Sequence, residues 1–369
     1  MRVLLCTPYK SDPDIVRGGI NQWARNILSY YEERKDGIEI IPVSFDRHIS
    51  LIYSKNILHR FINGLREQIR PLRNALNAIK NEKPDVIHIC SSAGLGCLRD
   101  MLLVKAAKRH QVRSIVHLHF GRLPELAKKN DWEWRLLKSV IRKCDVVVPM
   151  NKPTETTLRK NGFSNVHYLP NPLSNKVIAQ ITELKGIERI PRQLLYVGHV
   201  YREKGVKELV EGCSKIDNIE LRIVGKCSQE MRDDLLSLSL DAKGKDWICF
   251  VGEMAHEDVL REFLSADMFV FPSYTEGFPN VILEAMACEC PIVASNVGAI
   301  PEMLDIGNNP CGVCINPKSS EEVHDAVMSL LDDSKQKEEY ANRAKSRVQS
   351  MYSMPVVWKE LVEIWTSFK

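Results

Sequence analysis

The 369-residue sequence lacks a long hydrophobic run and a strong charge of either sign. No apolar stretch approaches the roughly 18 residues that a membrane-spanning helix needs. Lys and Arg total 51 against 47 Asp and Glu, a net charge of +4, so nothing indicates a basic nucleic-acid-binding domain. The 44% hydrophobic and 27% charged composition is that of a globular protein, and the length predicts two to three domains.

A disulfide framework is also missing. The eleven cysteines are an odd number and lie mostly singly in apolar segments, unlike the pattern of small secreted proteins. The segment Met1–Pro8 is too short for the apolar core of a signal peptide, and we predict a buried strand there. We therefore expect a cytoplasmic protein.

Short apolar segments alternate with longer segments of helical periodicity. The predicted strands are Arg2–Cys6, Ile38–Val43, Val86–Cys90, Ser114–His119, Asp145–Pro149, Gln193–Val197, Ile219–Val224, Ile248–Val251, Met268–Phe271 and Pro291–Ala294. The helical segments of the first half are Ile20–Tyr31, Leu58–Lys80, Asp100–His110 and Asp131–Cys144. Such alternation indicates parallel βαβ units, so two series predict an α/β fold with two Rossmann-like, doubly wound parallel sheets.

The series place one domain at 1–172, a linker at 173–192 and a second domain at 193–354. Prolines at both ends of the linker disfavour a continuous element there. Open α/β sheets bind ligands at the carboxyl ends of their strands. Two such domains predict a site in an interdomain cleft.

The most informative segment runs from Phe271 to Ala287. A strand ends near Pro272, and a helix is predicted to begin at Pro279, a residue that suits the first helical position. Glu276 precedes this helix and Glu284 follows eight residues later, inside it. A carboxylate can accept both hydroxyls of a ribose, and a helix N-terminus attracts phosphate.

This segment resembles the retaining glycosyltransferases of family 4 (group 1), which have the GT-B fold. Their Glu-x7-Glu signature and the block after it match Glu284–Ala287, Pro291–Ser295 and Gly298–Glu302. The likeness is strong from 193 to 317 and weaker in the first half. It implies an acceptor-binding first domain and a donor-binding second domain. In such proteins the final helix crosses back onto the first domain, and the resemblance implies the same for a helix at 355–369.

The resemblance also implies roles for the segment's own residues. Glu276 would contact the transferred sugar, and Glu284 would bind the ribose of a nucleotide-sugar donor. The sugar and the diphosphate would be held by backbone amides around Phe278, Pro279 and Asn280.

A second matching segment is Tyr196–Gly205, in which cations follow a strand that ends in glycine. Family members usually place Arg directly after that glycine and Lys later in the loop. Here His199 occupies the Arg position, whereas Lys204 matches and would bind the diphosphate. Arg202 is a substitute for the missing guanidinium, although a solvated loop is an equally common reading of such a triplet.

Two glycines, Gly18 and Gly19, come just before a predicted helix. Paired glycines there offer unhindered N–H groups to an anion, but alone they more often form a simple turn. The resemblance implies that this loop closes over the donor diphosphate.

Two histidines, His117 and His119, lie at the end of a predicted strand and on one face of it. The resemblance implies that His119 reaches the donor sugar near its reacting carbon. For His117, and for His88 on the preceding strand, a structural role is the preferred reading. A zinc pair of His117 and His119 has no third ligand of convincing spacing.

A Cys-x-Cys pair and a Cys-x2-Cys pair raise the hypothesis of a zinc site made by Cys288, Cys290, Cys311 and Cys314. Structural four-cysteine sites usually show cleaner spacing, so we assign no metal. The segment Gly94–Arg99 is half of a dinucleotide fingerprint, but its third glycine is replaced by Arg99, and we reject NAD binding.

The predicted helix Leu58–Lys80 has an apolar stripe and a basic face. The stripe is Leu58, Phe61, Ile62, Leu65, Ile69, Leu72, Leu76 and Ile79, and the basic residues are Lys55, Arg60, Arg66, Arg70, Arg73 and Lys80. A core-facing helix with a solvated basic face is the preferred reading. The alternative, which extends to Lys105, Lys108 and Arg109, is peripheral docking to an anionic inner membrane surface.

The expected function is therefore retaining transfer of a sugar from a nucleotide-diphosphate sugar to a glycan or lipid-linked acceptor. UDP is favoured over GDP, and surface polysaccharide or lipopolysaccharide assembly in bacteria is the expected setting. No cofactor or essential metal is expected. The alternatives are a GT-B nucleotide-sugar epimerase or hydrolase and a non-catalytic subunit that binds sugar nucleotides.

Overall fold

The computed structural model describes residues 1–9, 18–34, 37–45, 57–184, 186–240 and 247–367, without the side chains of 57–68, 239 and 240. The chain forms two units. The first comprises 1–172 together with 357–369, and the second comprises 173–356. Each unit holds one parallel sheet with helices between its strands, so the predicted α/β class is confirmed.

The first unit contains five described strands. They are β1 (Arg2–Thr7), β2 (Glu39–Ser44), β3 (Val86–Ser91), β4 (Arg113–Leu118) and β5 (Val146–Pro149). The helices between and after them are α1 (Gly19–Arg34), α2 (Ile57–Glu82), α3 (Gly96–Arg109), α4 (Leu123–Lys129), α5 (Trp132–Ile141) and α6 (Lys152–Lys160).

The middle strands of this unit are covered by helices on both faces, because every residue of β3 is buried. Two helices of this unit start at polar side chains that cap them. Asp131 accepts hydrogen bonds from the N–H groups of Glu133 and Trp134 at α5, and Asn151 accepts one from Thr154 at α6.

The second unit contains six described strands. They are β6 (Ile190–Val197), β7 (Glu220–Val224), β8 (Ile248–Gly252), β9 (Ala266–Phe271), β10 (Ile292–Ser295) and β11 (Val313–Ile315). Its helices are α7 (Asn175–Glu183), α8 (Val206–Cys213), α9 (Gln229–Leu240), α10 (His256–Ser265), α11 (Asn280–Ala287), α12 (Ile300–Met303), α13 (Ser320–Asp332) and α14 (Ser334–Met351). The last helix, α15 (Met354–Thr366), begins in this unit and continues in the first.

The two sheets have different strand orders. The first is β2-β1-β3-β4-β5, and the second is β11-β10-β9-β6-β7-β8. Counted from β6, the second order is the classic dinucleotide-fold order, and the first is the flavodoxin-like order. The order reverses between β1 and β3 in the first sheet and between β6 and β9 in the second, and ligands of doubly wound sheets bind beside such points.

Several sequence predictions need correction. The second sheet has a sixth strand, β11, which the sequence did not indicate because it is three residues long. The predicted linker is not irregular, since α7 begins at its Ser174 cap and β6 begins at Ile190. Pro172 thus precedes α7 and Pro191 lies inside β6, so neither proline prevents a regular element here.

Helix α2 agrees only in part with its predicted stripe. Ile79 is buried and Leu72 and Leu76 are half-buried, whereas Ile69 is 61% exposed. Lys55 and the side chains of 58–66 lie outside the described residues. Within the described part of the chain, no helix is both long enough and apolar enough to cross a bilayer.

Candidate active site

The loops that follow β6 and β9 lie side by side, because these two strands pair in parallel at the reversal point of the second sheet. The backbone joins the loops directly, since the N–H of Tyr274 donates to the carbonyl of Glu203 over 2.8 Å. Side chains from the two loops are therefore held at the place where the fold predicts a ligand site.

Glycine is required at two positions of this arrangement. Gly205 ends a short 3₁₀ turn, Arg202–Lys204, with φ of 69°, and a Cβ there would lie 2.0 Å from the carbonyl oxygen of Pro272. Gly298, with φ of 56°, packs equally closely on the carbonyl oxygen of Glu276, at 2.2 Å from an added Cβ. A larger residue at either position would displace the loop that carries Glu276.

The central contact of the site is an ion pair. The Nζ of Lys204 lies 2.5 Å from Oε1 of Glu276, and their side chains are only 19% and 12% exposed. Lys204 also lies 5.5 Å from the centre of the Phe271 ring. The sequence predicted both charged residues, and the structure brings them together.

A second ion pair involves the other signature carboxylate. Glu284 is the fifth residue of α11, and its Oε1 lies 2.9 Å from Nε2 of His256 at the start of α10. The hydrogen bond to Glu284 raises the pKa of His256 above its usual value of 6.5. Glu284 is 14% exposed, whereas His256 is about half exposed.

The start of α11 differs from the prediction in detail. Pro279 is the N-cap residue with an extended backbone, so the helix begins at Asn280 and not at Pro279. The ring of Phe278 is buried edge-on against Tyr352, with ring centres 5.6 Å apart. The side chain of Phe278 is therefore packed in the interior, and the binding role that the family resemblance implied for its backbone stays a prediction.

The remaining cationic candidates lie on the same loop as Lys204. His199 and Arg202 are both exposed, and neither makes the contact with Glu276 that Lys204 makes. His199 supplies its backbone carbonyl to the hydroxyl of Tyr196 over 3.1 Å. The structure thus places the guanidinium of Arg202 on the same short turn as Lys204.

In the first unit, the predicted glycines begin α1. Gly18 has φ of 83°, and its carbonyl accepts a hydrogen bond from the N–H of Gln22. Gly19 is the first helical residue. Both are exposed, and an added Cβ would meet nothing within 4 Å. Residues 10–17, Arg17 among them, lie outside the described residues.

His119 follows β4 and is 8% exposed. Its ring packs against Trp23 and His117, with ring centres 4.9 and 3.9 Å away. Burial lowers its pKa to about 3, so the imidazole is neutral at ordinary pH.

The sequence reasoning missed His256. The available signal was its position after β8, at the carboxyl edge of the same sheet that presents Lys204 and Glu276. A polar residue at that edge is a candidate by the same rule that selected the others.

The four cysteines proposed as an open zinc hypothesis do not form a site, since no three of their sulfur atoms come together in the described structure. Cys288, Cys290 and Cys311 are buried instead. The described residues contain a different cluster, made by His88, Cys90 and His117.

The chemistry of these groups suits an anionic, hydroxyl-rich ligand. Lys204 and the N-terminus of α11 favour phosphate, and two carboxylates supply acceptors for hydroxyl groups. All of these groups lie at the carboxyl edge of one dinucleotide-type sheet.

Comparison with solved structures first defines the fold class. HepE of Anabaena, solved in complex with UDP, superposes with a TM-score of 0.73 at 16% identity, over 100% of both chains. This likeness shows the GT-B fold. A sequence profile described as Glycosyltransferase Family 4 matches residues 17–175, and one described as Glycosyl transferases group 1 matches 180–347. The chain belongs to this glycosyltransferase family, so the resemblance inferred from its motifs is confirmed.

Two curated relatives are informative. An uncharacterised glycosyltransferase of Methanocaldococcus jannaschii is 32% identical over 183 residues, which cover 49% of this chain and 46% of the relative. The putative teichuronic acid biosynthesis glycosyltransferase TuaC of Bacillus subtilis is 24% identical over 308 residues, covering 80% of this chain and 75% of the relative. The matched region thus spans about half the length of the first relative.

Proposed function

We propose that this protein is a retaining glycosyltransferase that moves a sugar from a nucleotide-diphosphate sugar to a hydroxyl group of a glycan or lipid-linked acceptor. The observation that supports it most is the Lys204–Glu276 pair at the reversal point of the second sheet, with Glu284 on the adjoining helix. The family and its relatives in teichuronic acid and capsular polysaccharide biosynthesis support surface glycan assembly as the setting.

When the donor binds, its groups replace one partner in each of the two ion pairs, Lys204–Glu276 and His256–Glu284. Its diphosphate binds Lys204, with help from the exposed Arg202 and His199, and its sugar hydroxyls donate hydrogen bonds to Glu276. The ribose hydroxyls take Glu284. We favour UDP as the nucleotide, and the Anabaena structure, which holds UDP, supports this choice.

The reaction breaks the bond between the anomeric carbon and the β-phosphate oxygen. Lys204 and the dipole of α11 stabilise the charge that develops on the departing diphosphate. The acceptor hydroxyl attacks from the face that the diphosphate leaves, and its proton passes to a phosphate oxygen. This front-face course retains the anomeric configuration without a protein nucleophile.

The first unit is proposed to bind the acceptor. His119 is assigned to the donor sugar, and Gly18 and Gly19 to the diphosphate, on the family resemblance alone. No cofactor or essential metal enters this proposal, so treatment with EDTA should leave the rate of transfer unchanged.

We also propose a cytoplasmic protein that contacts an anionic membrane. One face of α3 exposes Leu98, Leu102, Lys105 and Arg109, spaced along successive helical turns. Helix α2 packs beside it and exposes Ile69. Apolar and basic groups on one surface suit binding to anionic lipid. Binding to phosphatidylglycerol vesicles that is lost in Leu98→Asn/Leu102→Asn would support this contact, and equal binding to neutral vesicles would refute it.

The proposed function is tested with Glu276→Gln and Glu284→Gln. Both substitutions keep the size of the side chain and remove its charge. Transfer should fall by about 100-fold or more in Glu276→Gln, because a transition-state contact is lost. In Glu284→Gln the donor affinity should fall by about tenfold or more, the usual cost of losing a charged hydrogen bond.

The matched control is Glu339→Gln, which removes a carboxylate from an exposed ion pair with Arg343 and should leave transfer unchanged. Full transfer in both site variants would refute the proposal. Turnover of the nucleotide sugar without an acceptor would favour the epimerase or hydrolase, and binding without any turnover would favour a non-catalytic subunit.

A further inference from the structure

Three histidines and two tryptophans form a buried cluster in the first unit. His88 on β3 and His117 on β4 are fully buried, beneath Trp23 of α1 and Trp365 of α15, which are each 1% exposed. His119 completes the cluster. The proposed function uses only His119, so the other two buried histidines have no assigned role.

The hydrogen bonds of the cluster have a single direction. The indole Nε1 of Trp365 lies 3.0 Å from Nδ1 of His88, and an indole N–H can only donate. Nδ1 of His88 is therefore the acceptor, and the hydrogen of this neutral imidazole is on Nε2. That atom lies 3.2 Å from Nδ1 of His117, so it donates, and the hydrogen of His117 is on Nε2.

The neutral state of these rings follows from burial. It lowers the pKa of His88 to about 3, and burial together with the neighbouring histidines lowers the pKa of His117 well below 6.5. The tautomer chain therefore holds throughout the ordinary pH range.

The last ring of this hydrogen-bonded series, His117, packs against His119. The ring of His117 lies 3.9 Å from that of His119 with an angle of 38° between the planes, and Trp23 meets both rings edge-on. Among the described residues, Nε2 of His117 and both ring nitrogens of His119 are buried without a hydrogen-bond partner. A buried polar atom without a partner is costly, so these nitrogens fit a ligand that supplies one.

We propose that His117 is a positioning residue: the Trp365–His88–His117 chain fixes its tautomer and ring plane, and this ring holds His119 in the orientation that meets the donor sugar. The inference rests on the proposed function for its last step. It gives the return of α15 to the first unit a role, because that helix supplies the donor that starts the chain.

A metal ion is the competing explanation. One ring nitrogen of His88, one ring nitrogen of His117 and Sγ of Cys90 lie within 4.8 Å of one another. Metal binding needs a thiolate, but burial raises the pKa of Cys90 to about 12. The 3.2 Å between Nε2 of His88 and Nδ1 of His117 is also an ordinary hydrogen-bond distance, so the observations favour the hydrogen-bond chain over a metal site.

The first experiment is a long-range ¹H–¹⁵N spectrum of the full-length protein labelled at histidine, recorded without a donor. We expect both His88 and His117 to carry their hydrogen on Nε2. In Trp365→Phe, which removes the indole N–H, His88 should become a mixture of tautomers and the His119 resonances should shift. Trp134→Phe, the same change at a buried tryptophan of α5 outside the cluster, should alter neither.

The second experiment measures kinetics. Trp365→Phe should lower kcat by about tenfold, the scale of a misplaced reacting group, with the KM for the donor within about twofold. Trp134→Phe should keep kcat. A larger rise in KM than fall in kcat would contradict a positioning role.

Three results would overturn the inference. They are a His88 hydrogen on Nδ1 in the unaltered protein, unchanged tautomers and kcat in Trp365→Phe, and one equivalent of zinc retained after purification without added metal. The spectrum needs no substrate. If the protein is inactive but has the expected tautomers, the proposed function is rejected and the Trp365–His88–His117 hydrogen-bond chain is supported. If the protein is active but has other tautomers, only the hydrogen-bond chain is rejected.

Discussion

The two units accommodate polar groups with little access to solvent in opposite ways. In the second, Lys204 with Glu276 and His256 with Glu284 are ion pairs that keep contact with solvent. In the first, His88 and His117 are fully buried and neutral, and are joined by directed hydrogen bonds.

The difference has a physical basis. A charged pair with access to water can exchange one partner for a phosphate or a hydroxyl without leaving a bare charge in the interior. A buried neutral chain cannot exchange partners without a large desolvation cost, so it fixes geometry instead. The ion pairs of the second unit thus suit an exchange of partners with a charged ligand, and the hydrogen bonds of the first suit a fixed ring geometry.

The largest expected effect is a loss of kcat/KM on replacement of Lys204 that replacement of another paired lysine of the same unit does not cause. Lys204→Met should lower kcat/KM by about 100-fold or more, because the departing diphosphate loses its nearest cation. Steady-state kinetics with a saturating acceptor would measure this.

The control is Lys345→Met, which breaks an ion pair of 2.7 Å with Glu289 away from the reversal point of the sheet. It should change kcat/KM by less than about twofold, the small effect of an exposed pair. Equal losses in the two variants would mean that Lys204 acts only on stability.

The second effect is a greater acid sensitivity of the first unit than of the second. His119 titrates near 3 when folded and near 6.5 as a free residue, so the unfolded state binds more protons between these values. Stability should therefore fall as the pH drops below about 6.5, by on the order of 3 kcal/mol for His119 by about pH 4. Hydrogen exchange, corrected for intrinsic rates, should show β3 and β4 opening before β9 and β10.

Substitution sharpens this prediction. His88→Asn should flatten the dependence of the first unit's stability on pH, whereas His167→Asn, at an exposed position of the same unit, should not. If β9 and β10 opened first on acidification, the contrast between the units would be wrong.

The smallest effect concerns His256. Its pKa is raised by Glu284, so the ion pair stabilises the folded protein at low pH and is lost as the pH rises through that pKa. A donor that needs Glu284 must compete with protonated His256. Its affinity should therefore fall by about two- to threefold from pH 8 to pH 6, the scale of an exposed pair.

Titration calorimetry with a nucleotide diphosphate would measure this, and His256→Gln should remove the dependence on pH. An affinity that rises on acidification would show that the pair orients Glu284 for binding and does not compete with it.

The sequence predicted most strands of both sheets, because short apolar segments such as Met268–Phe271 of β9 are typical of buried parallel strands. Shorter or mixed segments were missed. β11 is three residues long, and α7 contains no proline itself but lies between Pro172 and Pro191. Ile69 continued the stripe of α2 in sequence but lies exposed, since periodicity does not show where a packing partner ends.

In the site, local motifs identified Lys204, Glu276 and Glu284, because each lies in a short segment with its own loop or helix signal. His256 has no such motif, and it is recognised only where the fold carries α10 to the side chain of Glu284. His88 and His117 show a similar limit, since their hydrogen bond joins two neighbouring strands.

The sequence by itself determined the fold class, the family and the two signature carboxylates, because hydrophobic periodicity and short motifs are local properties of the chain. The tertiary structure alone decided which charges pair, which histidines stay neutral and which nitrogen carries each hydrogen. Those properties depend on burial and on distances between groups far apart in sequence. The bond between Trp365 and His88, 277 residues apart, exists only because α15 returns to the first unit.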